Sequence, residues 1–135
     1  MRLLIDANVL LDVLQKREPH YHASSLIWKL CETGQAEGYI SSLTIANLFY
    51  VMRKELNFEK IEDIFHKLKV IFRIADFCAS DLTKAVEMKW DDFEDAIQSA
   101  IAERMDVHYI ITRNVRDFRE SKVSAFTPAE YLNRI

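Results

Sequence analysis

Acidic and amide side chains follow apolar segments of this chain at separate places. Asp6 ends the apolar run RLLID, and Asn8 comes two residues later. Asp92 and Asp95 belong to the segment DDFEDA, where their three-residue spacing sets both carboxylates on one face of a helix's first turn. Crowded carboxylates repel one another unless a cation or shared protons intervene. Oxygen ligands without His or Cys suit Mg²⁺ or Mn²⁺ better than zinc, so the chemistry indicated is binding of a hard divalent ion.

A further polar group comes after the apolar run HYII. Thr112, Asn114 and Asp117 belong to the segment TRNVRDF, and each of them alone is an ordinary turn residue. In parallel α/β sheets, ligands bind beyond the carboxyl ends of the strands. If the sheet is parallel, Asp6 and these three residues therefore lie at the same edge. Acids that follow two strands and open a helix would then meet in one crevice.

Each acid also has an ordinary structural explanation, and the sequence leaves both readings open. Asp6 could serve only as the N-cap of the helix that follows it. Asp92 and Asp95 could serve only as acids of a first turn, because they interact favourably with the helix dipole and Asp-x-x-Asp resembles a capping box. An Asp after the first strand also occurs in phosphatases of the haloacid-dehalogenase type. Those enzymes use Asp-x-Asp, and Asn8 stands at the second acidic position here.

Strands and helices alternate along the chain, which predicts an α/β fold with a central parallel sheet. Apolar runs predict strands at 2–6, 38–41, 70–74 and 108–112, with a short segment at 123–126. Amphipathic stretches predict helices at 8–14, 20–31, 42–56, 58–68, 81–89 and 93–105. Ser42 is expected to cap the third helix, and Thr127 with Pro128 to open a terminal one. Helices on both faces of the sheet give a three-layer α/β/α architecture.

Length and composition predict one domain over residues 1–135 with no membrane anchor. Half of the residues are apolar, and two glycines and two prolines leave no stretch that resembles a linker. No apolar run approaches the ~20 residues of a membrane-spanning helix. Cys31 and Cys78 form no CxxC pair, so we expect free thiols in a reducing cytoplasm.

The charge of the chain limits how it could bind nucleic acid. A formal charge of −3 argues against a sequence-independent DNA binder, which would usually be basic. Basic residues are concentrated locally instead: Arg113, Arg116, Arg119 and Lys122 recur every three residues beside the last acids. They could hold an RNA backbone, with Arg113 as the foremost candidate, or form a solvated charged face.

Four segments carry a family resemblance that extends over nearly the whole chain: DANVLLD, SSLTIANLFYVMRK, DFEDAIQSA and ITRNVRDF. In their order and spacing they resemble the PIN domain, and bacterial VapC-type toxins in particular. The resemblance implies a Mg²⁺- or Mn²⁺-dependent ribonuclease in which Asp6, Asp95 and Asp117 are catalytic, metal-binding acids. Asp92 would be a further ligand, and Asn114 would belong to the last site segment. The resemblance also implies an RNA substrate and a small antitoxin protein as partner.

One position departs from the PIN pattern. Many PIN nucleases carry a Glu on the helix after the second strand, and this chain has Asn47 there. Asn47 could line the site through its carbonyl oxygen, or it could be a buried amide bonded to its neighbours. Fewer anionic ligands should weaken metal binding. Two functions therefore remain open, an active ribonuclease and a PIN-fold binding module that has lost turnover.

The helix expected at 42–56 is apolar nearly all round, which indicates burial or an interface. Phe49 and Tyr50 belong to this helix. The resemblance implies a homodimer, and we expect these two aromatic residues to pack in it.

Overall fold

The computed structural model describes all 135 residues and contains one five-stranded sheet. Its strands are β1 (Arg2–Ile5), β2 (Glu37–Ser41), β3 (Arg73–Ala75), β4 (Tyr109–Ile111) and β5 (Ser124–Phe126). All strand pairs are parallel, in the order β3-β2-β1-β4-β5. From β1, the strands β2 and β3 follow on one side of the sheet, and β4 and β5 follow on the other side. The topological switch point therefore lies between β1 and β4.

Seven α-helices connect or follow the strands. They are α1 (Ala7–Leu14), α2 (Tyr21–Glu32), α3 (Ser42–Met52), α4 (Phe58–Ile71), α5 (Ala79–Met88), α6 (Phe93–Arg104) and α7 (Pro128–Arg134). A short 3₁₀ helix (Val115–Phe118) occupies part of the polar stretch after β4. None of the helices is both long and apolar enough to cross a membrane.

The sheet is buried on both faces, because successive residues of a strand point to opposite sides. Leu3 and Ile5 of β1 belong to a core formed with α1, α2, α3, α4 and α7. Leu4 belongs to a second core formed with α5 and α6. Each fully buried Leu or Ile side chain contributes roughly 1.5–3 kcal/mol. The three-layer α/β/α arrangement expected from the sequence is confirmed.

Local sequence explains several helix ends. Thr127 caps α7 and forms a capping box with Glu130, and Pro128 follows it, as expected. The helix α2 stops before Gly34, whose φ of +78° is a conformation that side chains with a Cβ rarely adopt. Gly38 of β2 has a different role, because a Cβ there would lie 2.6 Å from the ring of Phe72. Only glycine allows β2 to pack this closely against Phe72.

Three expected boundaries are wrong. Ser41, and not Ser42, caps α3, since its hydroxyl accepts the backbone N–H of Thr44 at 3.0 Å. The helix α3 ends at Met52 rather than near residue 56. The strand expected at 70–74 begins only at residue 73, because α4 continues through Val70. Val70 lies on the solvent side of α4, 86% exposed, so its apolar side chain did not mark a buried strand.

Both cysteines are free, as expected. Cys31 is buried in the first core, and burial raises the pKa of its thiol to about 12. Cys78 is only partly buried. A thiol with so high a pKa stays protonated and unreactive at neutral pH, so Cys31 is a core residue.

Candidate functional site

The carboxyl ends of β1 and β4 lie side by side at the topological switch point. Ile5 of β1 pairs with Ile111 of β4, so the next residues, Asp6 and Thr112, are neighbours. Ligands of open α/β sheets bind at this position. The structure therefore brings together the first acid and the segment after β4.

Asp6 is held by hydrogen bonds to both of its oxygens. The Thr112 hydroxyl donates to Asp6 Oδ2 at 2.8 Å, and Asn8 Nδ2 donates to the same oxygen at 3.3 Å. The Ala7 backbone N–H donates to Oδ1 at 2.8 Å, so Asp6 also caps α1. Asn8 Oδ1 accepts the backbone N–H of Arg113 at 3.1 Å. Asp6 therefore both caps α1 and lies at the edge of the sheet where ligands bind.

The loop after β4 is tied to the same network. The Asn114 backbone N–H donates to Thr112 Oγ1 at 3.0 Å, and Thr112 is fully buried. The Asp117 backbone N–H donates to the Asn114 carbonyl at 3.0 Å, which starts the 3₁₀ helix. The side chain of Asp117 is exposed. Thr112 therefore links the position of Asp6 to the loop that carries Asp117.

The first turn of α6 supplies three more carboxylates. Asp92 caps this helix by accepting the Asp95 backbone N–H at 3.0 Å, and Glu94 and Asp95 lie within its first turn. The pKa of Asp95 is raised to about 7, first by burial and then by the negative charges of Asp92, Asp6, Asp117 and Glu94. Charges that act on Asp95 from three elements lie around it, so Asp95 is central to the group.

We refer to these five residues, Asp6, Asp92, Glu94, Asp95 and Asp117, as the acid cluster. Burial raises the pKa of Asp6, and the charges of Asp92 and Glu94 raise it further, while its hydrogen bonds act in the opposite direction. No member of the acid cluster has a Lys, Arg or His nitrogen within 4.0 Å. These five carboxylates lie together in a chain whose net formal charge is only −3. Such concentrated negative charge favours binding of a cation.

The donor set of the acid cluster consists entirely of carboxylate oxygens, which suits a hard divalent ion. No three His, Cys, Asp or Glu side chains of the chain are close enough together to hold one ion. Asp92, Glu94 and Asp117 are exposed, so the packing of the core does not hold their side chains and their rotamers can change. The cluster fits a metal by charge and donor chemistry, and coordination requires these side chains to move closer.

Asn47 lies opposite the acid cluster on α3. Its side-chain Nδ2 donates to Glu94 Oε1 at 3.2 Å. Its amide is therefore not a buried group bonded only to its own helix. The sequence pattern assigns no role to Glu94, because it singles out only Asp92 and Asp95, whose three-residue spacing sets both on one face of the first turn. The available signal was its position beside Asp95 in the segment DFEDA.

The four basic residues after β4 point to different places. Arg116 and Arg119 line a cleft of about 220 Å³ that also includes Lys89, Trp90, Asp91, Asp92, Asp117 and Glu120. Arg113 instead faces the fully buried Asp12 of α1, with 3.0 Å between Nε and Oδ2. Lys122 lies 3.8 Å from Glu103. Of these four residues, only Arg116 and Arg119 line a cleft together with members of the acid cluster.

The raised pKa of Asp95 predicts a stabilising substitution. Between its ordinary value of 3.8 and about 7, folding takes up a proton at Asp95, so stability falls as the pH rises through this window. Above pH 7 the folded state holds a destabilising charge. Asp95→Asn should therefore stabilise the metal-free protein by about 1–2 kcal/mol at pH 8, a value reduced for partial exposure, and should have little effect near pH 4.

Urea unfolding in EDTA at the two pH values measures this effect. Asp63→Asn is the control, because Asp63 is an exposed acid of α4 without an ion pair. Equal effects of Asp95→Asn at pH 4 and pH 8 would contradict the raised pKa.

Comparisons with known proteins identify a family and structures of similar fold. A family model described as "PIN domain" matches residues 2–116. Ribonuclease VapC1 of Aquifex aeolicus (strain VF5) is 22% identical over 138 residues, covering 98% of this chain and 94% of that protein. A toxin-antitoxin complex from Klebsiella pneumoniae is similar with a TM-score of 0.72 and 21% identity, over 93% of this chain and 97% of that one. VapBC-1 from nontypeable Haemophilus influenzae is similar with a TM-score of 0.71 and 14% identity, over 96% and 99%.

Proposed function

Because this chain belongs to the PIN-domain family, we propose that it is a metal-dependent endoribonuclease that hydrolyses phosphodiester bonds of RNA and is the toxin of a toxin–antitoxin pair. The observation that carries this proposal is the acid cluster, which lies at the β1/β4 switch point without a cationic partner. The similarity to Ribonuclease VapC1 supports RNA as the substrate. The similarity to a toxin-antitoxin complex supports a protein partner, which would bind near the acid cluster and block it.

The metal in this proposal is Mg²⁺ or Mn²⁺, held by Asp6, Asp92, Asp95 and Asp117. When bound, the ion supplies an acidified water and stabilises the negative charge that develops on the phosphoryl group. Thr112 holds Asp6 in place through its hydrogen bond. Asp95 or Asp117 positions the attacking water or accepts its proton at a carboxylate oxygen.

Contacts to the RNA backbone are proposed for Arg116 and Arg119. Both line the cleft beside Asp92 and Asp117, where a phosphate that approaches the acid cluster would pass. Arg113 was the foremost candidate in the sequence, but Asp12 engages its guanidinium and leaves it 28% exposed. We therefore assign Arg113 mainly to holding the loop after β4, together with Asn8 and Asn114.

Cleavage of a panel of structured and single-stranded RNAs tests the proposed function. Purified protein should cut RNA with Mn²⁺ or Mg²⁺ and should not cut with EDTA. RNA binding without cleavage under every metal condition would favour the alternative of a PIN-fold binding module without turnover. Cleavage that persists in EDTA would contradict metal dependence.

We also propose a homodimer formed through α3 and the start of α4. Tyr50, Val51 and Phe58 lie close together in sequence, at the end of α3 and the start of α4, and are 65%, 49% and 91% exposed. A group of exposed apolar side chains is typical of an interface between chains. Phe49 packs within its own chain against Phe65, so it is not part of the exposed face.

Light scattering after size exclusion should give twice the chain mass of 15.8 kDa for the wild type, and about the chain mass for Tyr50→Glu/Phe58→Glu. Val70→Glu is the control, because Val70 is an apolar residue 86% exposed near the other end of α4. A wild-type protein with the mass of one chain would contradict the dimer.

A further inference from the structure

Glu94 is the member of the acid cluster to which the sequence pattern assigns no role. Two side-chain hydrogen bonds join α3 to α6 near this residue. Gln98 Nε2 donates to Thr44 Oγ1 at 2.6 Å, and Asn47 Nδ2 donates to Glu94 Oε1 at 3.2 Å. Thr44 and Asn47 lie three residues apart on α3, and Glu94 and Gln98 lie four apart on α6, so each pair shares a helix face. The buried Thr44–Gln98 contact therefore fixes the register that sets Asn47 against Glu94.

Glu94 lies at the same end of α6 as two of the proposed ligands. It directly precedes Asp95 in the first turn and follows the N-cap Asp92 by two residues. The contact with the neutral amide of Asn47 orients Glu94 without cancelling its charge. The carboxylate is therefore directed by a hydrogen bond and still available to a cation.

We propose that Glu94 is a further metal-binding carboxylate of the acid cluster and that Asn47 is its positioning residue. This inference rests on the proposed function, since it concerns the same metal site. It also explains how Asn47 can stand where many PIN nucleases have a Glu. Glu94 of α6 would supply the negative charge that the Glu of α3 supplies in those proteins. A glutamate at position 47 would stand next to Glu94, where two carboxylates within hydrogen-bond distance repel each other.

Titration calorimetry with Mn²⁺ on the purified full chain tests the role of Glu94. Glu94→Gln should weaken Mn²⁺ binding by about tenfold or more, a typical loss for groups around a metal. Glu59→Gln is the matched control, because Glu59 is also an exposed acid in a first turn, that of α4. Its substitution removes the same charge and the same interaction with a helix dipole, and should leave the Mn²⁺ affinity unchanged.

A charge exchange tests the role of Asn47. Asn47→Glu alone should not strengthen Mn²⁺ binding, because the new carboxylate repels that of Glu94. The double variant Asn47→Glu/Glu94→Gln should bind Mn²⁺ nearly as well as the wild type, since it keeps one amide and one carboxylate at the contact. Circular dichroism verifies that each variant is folded.

The outcomes separate this inference from the proposed function. Wild-type affinity in Glu94→Gln overturns the inference, and so does tighter Mn²⁺ binding by Asn47→Glu alone. If the wild type binds Mn²⁺ and cuts RNA while Glu94→Gln binds as the wild type does, only the inference fails. If the wild type binds no Mn²⁺, the inference and the metal dependence of the proposed function fail together.

Discussion

Asp6→Asn is expected to lower the rate of metal-dependent RNA cleavage by at least about a hundredfold, and Asp95→Asn to lower it comparably. Asparagine keeps the shape of each side chain. At position 6 its one oxygen can still accept the Ala7 N–H that caps α1, and its NH₂ group can donate to the Thr112 hydroxyl, which then acts as the acceptor. The substitutions therefore remove charge and leave the fold intact. Initial rates with Mn²⁺ at a fixed RNA concentration measure the loss.

Asp76→Asn is the matched control for this experiment. Asp76 also directly follows a parallel strand at the same edge of the sheet, but β3 is the outermost strand on its side. Its carboxylate is not among the charges that raise the pKa of Asp6 or Asp95. Asp76→Asn should cut RNA at the wild-type rate. Cleavage that survives both Asp6→Asn and Asp95→Asn would remove the acid cluster from the mechanism.

Arg113→Met is expected to destabilise the protein by about 3–5 kcal/mol, because it leaves a buried carboxylate without its ion-pair partner. Asp12 is fully buried, and its Oδ2 is 3.0 Å from Arg113 Nε and 3.0 Å from the hydroxyl of Ser24. Its Oδ1 has no hydrogen-bond partner at all. Urea denaturation at neutral pH measures the loss.

Two further variants make the Arg113 result interpretable. Arg119→Met removes an exposed arginine of the same segment and should change stability by no more than about 0.5 kcal/mol. Asp12→Leu/Arg113→Met removes both charges and should recover much of the loss, since replacing a buried pair by apolar groups is often tolerated. If Arg113 chiefly contacts RNA, Arg113→Met would instead keep wild-type stability and weaken RNA binding.

The meeting of Asp6 with the segment after β4 could be predicted from sequence because it depends only on strand direction. Asp6 and Thr112 each directly follow an apolar run, and parallel strands end at one edge. No side-chain packing had to be known. The helix α6 could be placed near them because a strand that returns parallel needs its crossover helix on one face of the sheet.

Contacts between elements could not be predicted in the same way. The pairing of Asn47 with Glu94 depends on the register of α3 against α6, which the buried Thr44–Gln98 bond sets. The pairing of Arg113 with Asp12 depends on which way a loop side chain turns. The periodicity of a single sequence contains neither kind of information. The start of β3 was missed for a simpler reason, since α4 runs into a strand of only three residues.

The central position of β1 has a consequence for synthesis of the protein. β1 is made first, but one of its two partners is β4, which begins at Tyr109, and the members of the acid cluster extend from Asp6 to Asp117. Residues are synthesised in order, so β1 cannot pair with β4 until most of the chain has been made. A growing chain on the ribosome therefore has no assembled acid cluster, although it is surrounded by RNA.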